Sequence, residues 1–264
     1  MEDEIMAVAK CKAVIMKKEL LADGIVSMWL QQPEMSEVAK AGQFVSVYCN
    51  SQSRLLPRPI SICEIDKENS MLRLVYRIAG EGTKEISKLS IEDTIEIMGP
   101  LGNGFTLQEN SAILIGGGIG IPPMLELAKE LKKEIGCKLM IVLGYRNEDT
   151  FLLHEFESYG TVYVSTEDGS IGTKGNVIDA IKENQIEADM IYACGPTPML
   201  KGVKQYALEH GIEAQISMEE RMACGIGACL ACVCKSKEVD SHSHVTNKRV
   251  CKDGPVFNVR EVEL

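Results

Sequence analysis

The sequence predicts a multi-domain protein: a small antiparallel β-barrel, then an α/β domain on a parallel sheet, then a short cysteine-rich module. Three observations carry that prediction. Up to residue 101 apolar residues recur in period two between turn residues, the pattern of strands with one buried face. From Gly102 strand-like and helix-like segments alternate one for one, the mark of a doubly wound parallel sheet. From Gln215 neither pattern holds, and the chain gathers cysteines instead. The expected blocks are therefore 1–101, 102–214 and 215–264, and 264 residues suit two domains with an appendage.

In the first block "CKAVIMKKEL", "GIVSMWLQQ", "QFVSVYCN", "RPISICEID", "MLRLVYRIAG" and "TIEIMG" read as strands, and only "GTKEISKL" reads as a short helix. Six strands with so little helix point to a closed barrel. In the second block "SAILIGGG" is a buried strand running into glycines. The helix "PPMLELAKELKKEIG" follows, opening on proline and closing on glycine. Strand "KLMIVLGYR", helix "DTFLLHEFESYG", strand "TVYVSTED", helix "NVIDAIKENQ", strand "ADMIYACG" and helix "PTPMLKGVKQYALEHG" complete it. No internal repeat or low-complexity linker interrupts the order.

Composition excludes several classes of function. The chain is 45% hydrophobic and 25% charged, which is globular. Its formal charge is −10 with no run of lysines or arginines, so nucleic acid and anionic membranes are poor partners. The opening "MEDEIMAVAK" is acidic and lacks a signal-peptide core. The longest uncharged run, Ser111 to Leu125, is broken by glycines and Pro122–Pro123, so it does not read as a membrane span. These features predict a cytoplasmic protein. In that compartment the ten cysteines are not expected as disulfides. Cys11, Cys49, Cys63 and Cys137 sit among apolar neighbours and read as small buried hydrophobes.

The segment "LIGGGIGIPPML" places Gly116, Gly117, Gly118 and Gly120 between a strand and a helix. Glycines there let a backbone approach a pyrophosphate at the helix N-terminus, although the run alone also fits a tight strand-to-helix turn. No acidic residue ends the second strand to hold a ribose hydroxyl; "GYRNED" stands there. "YACGPTPML" ends the last strand of the block, at the edge where ligands of parallel sheets bind. Cys194, Gly195 and Pro196 can face a nicotinamide there, or Cys194 can simply be buried before a helix.

With these motifs in order, the chain resembles the ferredoxin–NADP reductase superfamily. The resemblance rests on "RPIS" at Arg58 to Ser61, "GGGIGIPP" at Gly116 to Pro123 and "CGP" at Cys194 to Pro196. It implies that the barrel binds FAD through Arg58, Pro59, Ile60 and Ser61. Further flavin contacts are implied at Val75, Tyr76, Arg77, Gly82 and Thr83, and NAD is implied at the glycine loop and the Cys-Gly-Pro turn. Arg58 offers a fork of donors for a pyrophosphate oxygen, and Ser61 can bond the flavin edge or a phosphate.

Cys224, Cys229 and Cys232 have the spacing C-x4-C-x2-C, with Cys251 as a distant fourth, as in plant-type [2Fe–2S] sites. Gly225, Gly227, Ala228 and Ala231 are small enough for a loop that wraps a cluster and aims N–H groups at its sulfurs. A zinc site prefers two closely spaced cysteine pairs. His242 and His244 lie in a polar loop without the cysteine pairing of a Rieske centre. Cys234 is a spare thiol, either a substitute ligand or an ordinary packed residue.

The C-terminal placement of this motif, "ERMACGIGACLACVCK" followed by "KRVCKDGPVF", is similar to the family of type B dihydroorotate dehydrogenase electron-transfer subunits. That resemblance, over essentially the whole chain, implies Cys224, Cys229, Cys232 and Cys251 as cluster ligands and an FMN-containing catalytic partner in a heterotetramer. It also implies electron flow from dihydroorotate through that FMN, the cluster and FAD to NAD⁺, in pyrimidine synthesis. NAD rather than NADP follows from the resemblance alone. No side chain is expected to abstract a proton from an organic substrate. Two other readings compete: a related subunit of a hydrogenase or a ferredoxin:NADP transhydrogenase, and a zinc-stapled nucleotide-binding regulator.

Overall fold

The computed structural model describes residues 10–51, 53–108, 111–239 and 244–264; the acidic start of the chain and His242 lie outside them. Strands β1 (Lys10–Ala22), β2 (Ile25–Gln31), β3 (Phe44–Val47), β4 (Arg58–Asp66), β5 (Met71–Arg77) and β6 (Thr94–Leu101) close an antiparallel barrel in the order β1-β2-β5-β4-β3-β6. Alternate residues fill its interior, among them Val45, Val47, Ile60, Ile62, Leu74 and Ile97, as the period-two pattern requires. Helix α2 (Glu81–Ile86) is the one the sequence announces. Helix α1 (Pro33–Val38) is a correction: six residues are too few to show a period. It is set by Pro33 at its start and by the Gln32 side chain, which accepts the Met35 N–H at 3.1 Å.

The second domain runs β7 (Ala112–Gly117), α3 (Pro123–Glu130), β8 (Leu139–Tyr145), α4 (Leu153–Phe156), β9 (Thr161–Thr166), β10 (Thr173–Lys174), α5 (Val177–Glu183), β11 (Met190–Cys194), α6 (Thr197–His210) and β12 (Glu213–Ser217). The segment expected as a full helix, "DTFLLHEFESYG", is reduced to the single turn of α4. Leu152 just before it takes a left-handed backbone, φ 65°, which no helix continues through. Strands β13 (Val233–Lys235) and β14 (Asn247–Arg249) form a hairpin in the C-terminal module. Strand β15 (Val256–Asn258) then returns to the main sheet, whose order is β10-β9-β8-β7-β11-β12-β15, parallel except for this last strand. Strand β12 itself runs across position 214, so the module is tied to the sheet at both ends.

Buried polar contacts fix the barrel against the second domain. Glu126 of α3 accepts the Ile65 N–H at 2.7 Å, and Lys129 donates to the Ile65 carbonyl at 2.7 Å. Arg73 of β5, almost wholly buried, holds Glu155 of α4 with both arms of its guanidinium. A charge buried this deeply needs such partners. These contacts join the barrel to α3 and α4 of the second domain.

Candidate functional site

At the rim of the barrel Arg58, the first residue of β4, folds its guanidinium over Gly82 of α2, where any β-carbon would overlap it. One arm also donates to the Leu56 carbonyl. Thr83 turns its hydroxyl inward, accepting the Ala79 N–H at 2.9 Å, and so shapes the turn that keeps Gly82 beneath Arg58. Pro59 and Ser61 lie on the outer face of β4, opposite Ser46 and Phe44 of β3. Ile60 points into the barrel core and Tyr76 does the same from β5, so these two offer a ligand little beyond backbone. Val75 packs into the domain interface. Arg77 Nε is buried without a hydrogen-bond partner among the described residues, which marks polar demand beside the rim; the Tyr76 hydroxyl is likewise unpaired, but inside the barrel. A half-buried arginine fork over a bare glycine suits a diphosphate, so these residues fit FAD.

Arg77 joins this rim to the second cleft: its guanidinium lies 3.9 Å from the place a β-carbon on Gly118 would take. Gly118 has φ +53° and opens the turn that leads into α3 at Pro123. Gly120 packs backbone to backbone on Cys194 and Gly195, because β7 and β11 are paired neighbours with Gly116 beside Cys194. The glycine loop and the Cys-Gly-Pro turn are thus one surface at the carboxyl edge of the sheet, where a dinucleotide lies in such folds. Cys194 is buried, and desolvation, then the nearby Glu219 charge, push its thiol up to about 12, so it is a neutral wall and not a nucleophile. Glu219 was not anticipated. The protein around it desolvates its carboxyl and raises its pKa, while Arg77 opposes the rise.

The four predicted cluster cysteines are brought together as two pairs. Cys224 and Cys229 stand with sulfurs 3.3 Å apart. Cys232 and Cys251 form the second pair, with the Cys251 N–H donating to Cys232 Sγ at 3.4 Å. Among the described residues no three ligating side chains converge on a single ion. Paired thiols are what a binuclear cluster takes, two per iron, whereas zinc takes all four on one centre. Burial opposes ionisation of Cys224, but the N–H groups of Ile226, Cys229 and Ala228 and the Cys229 thiol bring it down to about 7. The hydrogen bond from Cys251 above all brings Cys232 to about 6, and holding that proton raises Cys251. Each pair thus favours one thiolate, the ligating form.

Gly225 and Gly227, at φ +73° and +79°, turn the loop tightly enough to close it. Gly227 donates its N–H to Cys251 Sγ at 3.1 Å while its carbonyl accepts from buried Arg249 at 3.0 Å. Asp253 in turn holds the Arg249 backbone N–H at 2.7 Å. The Arg249–Asp253 pair was missed in the sequence, although a basic and an acidic residue flanking the fourth cysteine are its signal. Cys234 turns its thiol to the Lys248 carbonyl at 3.6 Å, and desolvation pushes it up to about 11. His244 is exposed on the polar loop, away from any such grouping.

Comparison with known proteins finds three family matches in succession along the chain. Residues 12–105 match the oxidoreductase FAD-binding domain family, 114–205 the oxidoreductase NAD-binding domain family, and 219–263 the iron-sulfur cluster binding domain of dihydroorotate dehydrogenase B. A Streptococcus pneumoniae protein named dihydroorotate dehydrogenase B (NAD(+)), electron transfer subunit, is 46% identical over 95% of this chain and 97% of its own length. A Fusobacterium nucleatum protein of the same name is 46% identical over 87% of this chain and 89% of its own. Among solved structures, a chain of the NADH-dependent reduced ferredoxin–NADP oxidoreductase aligns with TM-score 0.85 and 32% identity, covering 95% of this chain and 89% of that one. A Malassezia yamatoensis flavohemoglobin shares the fold at TM-score 0.65 and 21% identity, over 78% of this chain and 58% of that one.

Proposed function

Since the chain belongs to the family of dihydroorotate dehydrogenase B electron-transfer subunits, we propose that it relays electrons from the FMN of a catalytic partner, through [2Fe–2S] and FAD, to NAD⁺ during pyrimidine synthesis. The observation that carries the relay is a shared wall: the cluster loop packs at Gly225 onto β3, the strand hydrogen-bonded to the Arg58–Ser61 strand. Bound there, FAD would supply the exchange between the single electrons a [2Fe–2S] cluster carries and the hydride that reduces NAD⁺.

The chain's own residues bind and orient. Arg58 over Gly82 holds the FAD diphosphate, Ser61 takes the flavin edge, and Arg77 lies between flavin and nucleotide. Gly116 to Gly120 with Cys194 to Pro196 seat NAD, and Cys224, Cys229, Cys232 and Cys251 hold the cluster. Ile226 and Leu230, each 48% exposed, leave the outer side of the loop apolar and open, which supports docking of the partner there. We place the complex in the cytoplasm as two copies of each subunit, a stoichiometry that sedimentation of the reconstituted complex tests.

Alone, the full chain should oxidise NADH with an artificial dye and leave dihydroorotate untouched. Adding the FMN subunit should switch on dihydroorotate-dependent NAD⁺ reduction, and Cys229→Ser should abolish it while sparing most dye activity. Oxidation of dihydroorotate by the isolated chain, or coupling that survives Cys229→Ser, would overturn the reading. A second reading, electron exchange with ferredoxin, is favoured by the 32% identity to the ferredoxin–NADP oxidoreductase chain; reduction of ferredoxin by NADH without the FMN subunit would decide for it.

A further inference from the structure

Ser46, in the middle of β3, is fully buried, and its hydroxyl has no hydrogen-bond partner among the described residues. Buried hydroxyls are nearly always satisfied, so an orphan in a well-packed place calls for a partner that arrives later. Its neighbours say where that partner stands. Val45 and Val47 point into the barrel, which leaves Phe44 and Ser46 on the outer face. There Phe44 and the β6 residues Met98 and Leu101 form one apolar core with Cys232, Val250 and Cys251 of the C-terminal module. Across the ladder Ser46 is paired with Pro59 of the flavin motif on one side and with Met98 on the other. Above it lies Gly225, whose missing β-carbon would stand 2.9 Å from Ser46 Oγ.

We propose that Ser46 is a positioning residue of the relay, donating its hydroxyl hydrogen to the sulfur of the cluster at its Cys224 side. The inference rests on the cluster assignment made above. The chemistry is that of any donor aimed at a metal-bound sulfur. Reduction adds negative charge to the cluster, a donor stabilises the reduced form more than the oxidised one, and the midpoint potential rises. Gly225 is then required on two counts. It turns the loop, and it leaves the hydroxyl a clear approach that a side chain would block. Ser46 thereby adjusts the driving force of the step at the seam where flavin strand and cluster loop meet. Removing it makes the cluster a weaker electron acceptor without altering its ligands.

The test uses the full chain carrying both FAD and cluster, in Ser46→Ala and Ser46→Thr forms, with iron and sulfide content checked first. Redox titration followed by electron paramagnetic resonance reads the cluster, and visible absorption reads the flavin. Ser46→Ala should keep its cluster but lower the reduced-to-oxidised ratio at a fixed potential by roughly three- to tenfold, the upper figure being about 59 mV for one electron. The flavin potential should stay in place, and Ser46→Thr, which keeps the hydroxyl, should return the cluster towards wild type. An unchanged cluster potential in Ser46→Ala would overturn the proposal, as would a shift of the flavin instead. Loss of the cluster from both variants would also overturn it, since that marks a packing role. Wild-type protein without iron and sulfide would instead refute the cluster assignment itself.

Discussion

The guanidinium of Arg58 lies across the bare α-carbon of Gly82, so that two residues more than twenty positions apart, one on a strand and one on a helix, make one rim. Arg58→Ala should weaken FAD binding by about 1.5–3 kcal/mol, the worth of a charge-assisted hydrogen bond. Gly82→Ala should have a smaller effect of the same sign, since the arginine is flexible enough to be displaced and not removed. FAD occupancy after gel filtration measures both, and an unaffected Gly82→Ala protein would show that the contact does not set the arginine's position.

The sulfur pairs sort the five C-terminal cysteines. Cys224→Ser and Cys251→Ser each break a different pair and should remove the cluster's visible absorption, iron and sulfide while leaving FAD in place. Cys234→Ser should keep all three, because its thiol faces a carbonyl and burial holds it protonated. Full iron in the Cys224 variant would mean that another thiol moves in.

Arg249 tests whether the loop is aimed from behind. Its guanidinium fixes the Gly227 carbonyl, whose peptide neighbour points an N–H at Cys251. Arg249→Met should speed loss of iron to a chelator by about 10–100-fold, the usual cost of removing an outer-shell support. A cluster as persistent as the wild type's would confine Arg249 to packing.

How much of this could be read in advance depended on the range of the interaction. Period-two and helix-strand alternation are local, so the six-stranded barrel and the parallel sheet were legible, and so was the glycine loop between β7 and α3. The cysteines could be singled out as candidates because cluster spacing is itself a sequence pattern. Helix α1 and the truncated α4 were not: one depends on a single side-chain cap, the other on one left-handed residue. Ser46 and Glu219 carry no local signal at all. Their meaning comes from which loop the fold lays against them.

Glu130, the last residue of α3, gives the domain interface a pH dependence. Burial first of all raises its carboxyl from 4.5 to about 7, against the Ala41 N–H that it accepts at 3.1 Å. In the unfolded chain it ionises near 4.5, so between pH 4.5 and 7 the folded state binds more protons and stability falls as pH rises. Glu130→Gln keeps an acceptor for Ala41 and removes the charge. It should raise stability by on the order of 1 kcal/mol at pH 8 and change it little at pH 4.5. Thermal unfolding at the two pH values measures this, and equal effects at both would show that Glu130 is not desolvated.

The final prediction separates the nucleotide cleft from the other two centres. Gly120 rests on the backbone of Cys194 and Gly195, with the Gly195 α-carbon only 2.6 Å from where a β-carbon would stand. Backbone cannot swing aside as the Arg58 side chain can, so Gly120→Ala must push the glycine loop and the Cys-Gly-Pro turn apart. Both FAD and cluster sites lie on other elements and should keep their absorption. NADH-dependent dye reduction should fall by tenfold or more, through a raised KM and a lowered kcat together, because the same shift spoils dinucleotide seating and nicotinamide approach. Dithionite, which needs no cleft, should still bleach the flavin at the wild-type extent. If NADH reduces the Gly120→Ala flavin as fast as it does the wild type, then this edge of the sheet is not where the nicotinamide meets FAD.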